Sequence, residues 1–260
     1  MFRSLNIAAT GMAAQETKLD TISNNLANSN TTGYKKQDAE FEDLLYQTQQ
    51  GAGTGAGGGA GPTQVQLGSG ARIVATSRFF SQGSIQQTGN PLDIAIEGNG
   101  FLVVERQDGS QAFTRAGSLK VASDGRIMTS DGLVVQPAIT IPPEATNVVI
   151  DANGSVHAEI AGQTTPTDLG KLQLATFPNP GGLSAVGHNL FVASPSSGDA
   201  NIGDPAADGR GSLMQGALEG SNVEVVDEMI GLIRTQRAYE INSKVIAAAD
   251  EMLRSATQLR

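Results

Sequence analysis

The sequence is short of the residues on which most chemistry depends. Its 260 positions hold no cysteine and no tryptophan, and only two histidines and three tyrosines. Without thiols there is no disulfide scaffold, thiolate zinc site, iron–sulfur cluster or cysteine nucleophile. Basic residues are outnumbered: 17 Lys+Arg against 26 Asp+Glu leave a formal net charge of −9. That balance argues against a nucleic-acid binder, which would need a basic face. No apolar run approaches the ~18 residues of a membrane span, so no membrane insertion is expected. Aromatic residues make up only 4% of the chain, which points to a core of small and β-branched side chains. The length suffices for one large or two small domains.

What is abundant is glycine, 32 residues, and its placement is informative. Residues 1–50 contain only Gly11 and Gly33, residues 221–260 only Gly231, and all ten prolines fall between Pro62 and Pro205. The two ends are thus nearly free of helix breakers, and the middle carries the turn chemistry. In the N-terminal arm Leu5, Ala8, Met12, Gln15, Leu19, Ile22 and Leu26 alternate at spacings of three and four, a heptad seam with one polar interruption. The cap-and-turn residues Asn28 to Gly33 follow it. Phe41, Leu44, Leu45 and Tyr46 then form a second apolar cluster at helical spacing. The C-terminal arm starts at Ser221, an N-cap with Glu224 completing a capping box. Its seam runs through Val223, Val226, Ile230 and Ile233, then Ala238, Ile241, Val245, Ala248, Met252 and Leu259 after a one-residue skip. Such a helix is on the order of 57 Å long, more than a small body needs, and its seam requires a partner; the N-terminal arm is the obvious one.

Residues 51–61 read GAGTGAGGGAG, with Gly51, Gly53, Gly55, Gly57, Gly58, Gly59 and Gly61. The composition is that of a linker. Its chance GxGxxG match has no strand before it and Pro62 after it, so it does not read as a dinucleotide site. From about Thr63 to Gly220 the signals are those of antiparallel strands. Leu92, Ile94 and Ile96 alternate with polar or small residues, and Phe101 to Val104 form a buried-looking run. Asp108-Gly109, Asp124-Gly125, Asp131-Gly132 and Asn153-Gly154 suit hairpin turns in which both central residues take φ > 0. Four such turns imply a meander curling into a barrel or sandwich.

Catalytic candidates are scarce. His157 and His188 read as surface or hydrogen-bonded structural residues, and there is no GxSxG elbow. Gly170-Lys171 is followed by Leu172, so there is no P-loop. Asp151-Ala152-Asn153-Gly154 lacks the further oxygen ligands of a calcium loop. Paired carboxylates converging from distant strands stay open, but there is no aromatic cluster to line a sugar cleft. No catalytic residue, cofactor or metal is expected. Residues 1–28 lack the charged start and apolar core of a cleavable secretion signal.

Three blocks carry a family resemblance: AATGMAAQETKLDTISNNLANSNTTGYKK (8–36), LDIAIEGNGFLVVERQDGSQAFTRAGSL (92–119) and SNVEVVDEMIGLIRTQRAYEINSKVIAAADEML (221–253). In this order they resemble the axial proteins of the bacterial flagellum, the rod and hook subunits. The stretch GSGARIVATSRFFSQGSIQQTGNPLD is most similar to the distal-rod branch. The resemblance implies a mainly β protein with terminal α: helices 1–46 and 221–260 paired as a coiled coil, a rod-specific segment at 47–62, and an antiparallel barrel- or sandwich-like body at 63–220. It implies copies of the chain stacked in a helical tube that transmits torque from motor to hook. The implied partners are proximal rod and hook proteins, surrounding ring (bushing) proteins and the flagellar type III export apparatus. The implied location is the basal body, at periplasmic to outer-membrane level. A proximal-rod or hook-type subunit is the alternative within the family, and a β-rich periplasmic enzyme acting on the cell wall is the alternative outside it. Glycine dominates the rod-specific segment and costs more backbone entropy to order than other residues. The tract is therefore expected to order only on assembly. Amide exchange at Gly51–Gly61 should be fast in the free subunit and slowed in the polymer; equally fast exchange in both would count against this.

Overall fold

Residues 2–50, 65–161 and 165–258 are described in a computed structural model of the chain. The glycine tract with Gly51, Gly53, Gly55, Gly57, Gly58, Gly59 and Gly61, and Leu259 of the C-terminal seam, lie outside the described residues. Two long helices bracket a set of short strands: α1 (Phe2–Ala27) and α2 (Val225–Gln258). The chain divides into a helical unit of Met1–Ala27, Gln37–Ser77 and Glu224–Arg260, and a β unit of Asn28–Lys36 and Arg78–Val223.

Helix α1 ends where the cap-and-turn residues begin. Thr31 N–H donates to Asn28 O at 3.1 Å, and Gly33 takes φ +72°. Helix α2 starts three residues later than the capping box at Ser221 implies. The Ser221 hydroxyl accepts the Val223 N–H at 3.2 Å, which makes a local turn and leaves the helix to begin at Val225. Asp227 and Glu228 in its first turn suit the positive end of the helix dipole.

The apolar cluster around Phe41 is not helical. Gln37–Asp43 is a strand paired with Ala71–Arg78 in a two-stranded ribbon. Gln47–Gln50 pairs likewise with Val65–Leu67. Spacing alone fitted a helix there, but the backbone of Gln37 is held extended by Asn25. The Asn25 Oδ1 accepts the Gln37 N–H at 3.0 Å, and its Nδ2 donates to Gln37 O at 2.7 Å. The ribbons belong with the helices in one unit, so the arm is not purely helical, and after them the chain returns to the β unit at Arg78.

The β unit is built of open antiparallel sheets, and among the described residues none closes on itself as a barrel would. The largest runs in the order Ser184–Gly187, Leu190–Val192, Gln111–Thr114, Phe101–Glu105, Val134–Gln136, Ile127–Thr129 and Leu119–Val121. Leu174–Thr176 branches from Phe101–Glu105 and carries Asn201–Gly203. A three-stranded sheet of Ala145–Ile150, Ser155–Ile160 and Thr167–Lys171 and two further strand pairs complete the unit. Side chains alternate between the faces of a strand, which explains the run Phe101 to Val104. Leu102 and Val104 enter an aliphatic core with Ile94, Ile96, Leu119, Ile127, Leu172 and Leu174. Phe101 and Val103 enter a second layer with Phe113, Phe177 and Phe191. The few aromatics are concentrated there, edge to face, with Phe113 and Phe177 centroids 4.8 Å apart.

Strands do meet at all four anticipated hairpins, but with a different turn. Only the glycines have positive φ: Gly109 +78°, Gly125 +83°, Gly132 +80° and Gly154 +85°. Arg106 N–H donates to Ser110 O while Gly109 N–H donates to Arg106 O, which is a three-residue loop closing on a glycine bulge. The preceding Asp or Asn keeps ordinary φ because its side chain has another task. Asp108 Oδ1 accepts the Ser110 N–H at 2.9 Å, Asp124 Oδ1 that of Arg126 at 3.2 Å, and Asn153 Oδ1 that of Ser155 at 3.0 Å. The two-residue turn with both residues at positive φ occurs instead at His188 (+53°) and Asn189 (+55°), between Ser184–Gly187 and Leu190–Val192. These geometries rank two substitutions. Gly109→Ala meets open space and should cost only the left-handed backbone penalty of about 1–2 kcal/mol. In Gly125→Ala the new β-carbon would also lie 2.6 Å from Ile141 O, so its urea midpoint should fall clearly further.

Candidate assembly surface

The helical unit has the surface on which the seam residues can be judged. Helices α1 and α2 pack against each other and run antiparallel. A β-carbon on Gly11 would come within 3.1 Å of Asn242 Nδ2, and one on Gly231 within 3.4 Å of Ile22 Cδ1. Asn25 Nδ2 donates to Glu228 Oε2 at 3.3 Å. Positions 11, 22 and 25 of α1 thus face 242, 231 and 228 of α2, with equal steps in opposite directions.

The fully buried positions of the α2 stripe that meets α1 are polar or small. Glu228, Thr235 and Ala249 are buried, and Gly231, Leu232, Ala238, Asn242 and Ile246 between them are half-buried. On α1 the buried positions are Ala8, Ala14, Thr21, Ile22 and Asn25. The polar groups are satisfied: Thr21 Oγ1 donates to Thr17 O and Thr235 Oγ1 to Gly231 O, both at 2.9 Å. A glycine inside a helix costs up to about 1 kcal/mol relative to alanine. Gly11 and Gly231 recover part of that by letting the partner side chain approach closely.

Among the seam residues of α1, Ile22 is buried in this contact, while Leu5, Met12, Leu19 and Leu26 are half-buried along its flank. The seam of α2 is elsewhere. Val226 is 69% exposed, Ile241 61% and Met252 52%, with Ile230, Ile233 and Val245 also exposed. Val226, Ile230 and Ile233 lie about two positions from the stripe facing α1, which at about 100° per residue puts them on the far side of the helix, while Ile241, Val245 and Met252 lie on its flank. The packing of α2 on α1 thus leaves Val226, Ile230, Ile233, Ile241, Val245 and Met252 exposed rather than buried. Val223 is buried, but it precedes α2 and belongs to the β unit. Heptad spacing located an apolar stripe without saying which neighbour it meets. The stripe that does meet α1 had a sequence signal of its own, the lone glycine of each helix, because an isolated helical glycine marks close approach.

Neither histidine takes part in a catalytic arrangement. His157 Nε2 lies 3.4 Å from Asp151 on a strand, and exposed His188 lies 3.7 Å from Asp131. Among the described residues no group of His, Asp or Glu side chains is placed to hold a metal, and no helix is long and apolar enough to cross a membrane.

A β body with helices from both chain ends, one of them showing an apolar stripe to solvent, is the make-up of a structural assembly subunit. Comparison with known proteins gives the family. Residues 5–35 match the flagella basal body rod protein family, 95–158 the flagellar hook protein FlgE/F/G D1 domain and 214–259 the flagellar basal body rod FlgEFG protein C-terminal family. The chain is 46% identical to the flagellar basal-body rod protein FlgG of Caulobacter vibrioides over 99% of both chains. It is 46% identical to that of Borreliella burgdorferi over 100% of this chain and 99% of the relative, and 38% identical to that of Bacillus subtilis over 100% of both. The chain belongs to the flagellar basal-body rod protein family. It is a structural subunit of the rod that assembles with other basal-body components, and it is not an enzyme.

The polar stripe makes a prediction. Asn25→Ala removes three hydrogen bonds, those to Gln37 N–H, Gln37 O and Glu228 Oε2, and should destabilise the helical unit by about 1–3 kcal/mol. Amides of α1 and α2 should then lose protection against exchange, while those of strand Phe101–Glu105 keep theirs.

Proposed function

We propose that this chain is a subunit of the distal rod, where copies stack helically into a stiff tube that carries torque from motor to hook. The supporting observation is the uncovered apolar stripe of α2, Val226, Ile230, Ile233, Ile241, Val245 and Met252. Apolar burial contributes roughly 25 cal/mol per Å², so covering such half-exposed side chains yields on the order of 1 kcal/mol each. A row of them sums to enough for stable contacts between copies. Surfaces that join head to tail without closing generate an open helical filament, which is the geometry a shaft needs.

In this reading the helices of neighbouring copies form a coiled coil through these seams, together with the half-buried Leu5, Met12, Leu19 and Leu26. Proximal rod and hook proteins cap the two ends of the polymer, and ring proteins surround it as a bushing. The chain reaches the periplasmic and outer-membrane levels through the flagellar type III export apparatus. The segment at 47–62 makes the contacts that distinguish the distal rod. Full-length identity to proteins named as basal-body rod proteins supports the rod as the destination.

Ile230→Asp and Ile241→Asp test this. Each puts a carboxylate on the exposed stripe, where the isolated subunit tolerates it and a packed interface does not. Rods and motility should be lost, while the β unit keeps its thermal transition and far-ultraviolet spectrum. A motile Ile230→Asp strain with normal rods would refute the stripe as the assembly surface.

A further inference from the structure

The chain passes between its two units at four places: after Ala27, after Lys36, after Ser77 and after Val223. Inside the β unit, the segments that lead to the last three of these places are tied to one another. Asn222 touches all of them. Its Oδ1 accepts the Lys36 N–H at 2.7 Å, and its Nδ2 donates to Phe79 O at 2.9 Å, Ser81 Oγ at 2.9 Å and Ser81 O at 3.2 Å. Phe79 N–H donates to Lys36 O at 2.9 Å. Deeper in, the Lys35 ammonium donates to Glu219 Oε1 at 2.6 Å and to Ser81 O at 2.7 Å. Glu219 Oε1 also accepts the Gly83 N–H at 3.0 Å, and its backbone carbonyl accepts the Gly33 N–H at 2.8 Å. A β-carbon on Gly83 would overlap the Gly220 carbonyl, so only glycine lets these strands lie this close.

The side chains of Lys35 and Glu219 have no exposed surface. Burial lowers the pKa of Lys35, the Glu219 hydrogen bond holds it up, and the charge of Arg115 lowers it again. Arg115 Nε sits 3.4 Å from Glu219 Oε2. The guanidinium is anchored to the body by Gly98 O at 2.8 Å and Gly100 O at 3.0 Å, and lies 5.8 Å from the Phe101 ring centroid. An apolar cluster of the same volume would hold the segments together but allow them to slide. Directional bonds to a buried carboxylate fix their register, and salt does not screen them as it screens surface pairs.

We propose that Lys35, Glu219 and Asn222 form a clasp that makes these three segments a single link, so that load on the β unit leaves it through all of them together. The three are positioning residues for load transfer. The proposal rests on reading the chain as a torque-carrying subunit. Three separate strands each twist by free backbone rotation. Tied together near the points where they leave the unit, they twist only as one.

The test uses the full chain carrying Asn222→Ala, expressed in cells that lack their own copy. Amide exchange at Lys36 should quicken at least tenfold, with strand Phe101–Glu105 unchanged. Those cells should build rods in normal number and swim normally in plain buffer. As viscosity is raised, they should lose speed more steeply than wild type. Asn222→Asp keeps the acceptor for Lys36 and cannot donate to Phe79 or Ser81, so it should lie between wild type and Asn222→Ala in load response. A general loss of stability would instead reduce rod number at every viscosity. Unchanged exchange at Lys36, or a wild-type load response once that protection is gone, would overturn the clasp. If the wild-type chain itself restores no swimming, the torque-carrying reading fails, independently of the clasp.

Discussion

The contact between α1 and α2 passes through Asn25, Thr21, Gly231 and Thr235, and that choice of face constrains the rest of the helical unit. A helix meeting a single neighbour ordinarily turns its apolar stripe inward. Here Asn25 bonds at once to Glu228 and to both backbone groups of Gln37, so α1, α2 and the first strand are fixed by one side chain. Buried polar groups of this kind specify register at some cost in stability. With the inner face taken, Ile230, Ile241 and their neighbours have nowhere to go within the helical unit but outward. The rod subunit therefore displays an apolar surface because its own helix pair does not use it.

The β unit solves a different problem with different residues. Strand Phe101–Glu105 is covered on both faces, with aliphatic side chains on one and phenylalanines on the other. Its hairpins close on glycine bulges whose preceding Asp or Asn caps the next strand. The result is a body held by close packing on both sides of its main sheet, with charged groups admitted to the interior at Lys35, Arg115 and Glu219. Apolar burial thus stabilises the body, while directional polar contacts position the segments that leave it.

Much of this was legible in advance, and the errors share a cause. Both long helices, the end of α1 before Asn28 and the four hairpins at Asp-Gly or Asn-Gly follow from local rules of capping and backbone conformation. Phe41 to Tyr46 were misread because four apolar residues at helical spacing do not reveal a strand partner some thirty residues on. Ser221 looked like a helix cap because its pattern was right, yet its hydroxyl found Val223 instead. The turn at His188-Asn189 has no local mark, because His-Asn is not among the Asn-Gly, Asp-Gly and Gly-Gly pairs that signal a two-residue hairpin turn. Lys35 and Glu219 are far apart in the sequence, and nothing near either marks it as buried.

By itself, then, the sequence determined what depends on neighbours within a turn or two: where helices can persist, where glycine must reverse the chain, and that α2 carries an apolar stripe. The absence of thiols and the acidic charge balance likewise fit a subunit that assembles rather than one that carries out chemistry. Only the tertiary structure decided that α2 presents Glu228, Gly231, Thr235 and Ala249 to α1 and leaves Val226, Ile230, Ile241 and Met252 exposed. Helical periodicity defines faces only relative to one another. Which face is inside is set by long-range contacts, the reach of Asn25 to Glu228 and the close approach at Gly11 and Gly231, that no local pattern encodes.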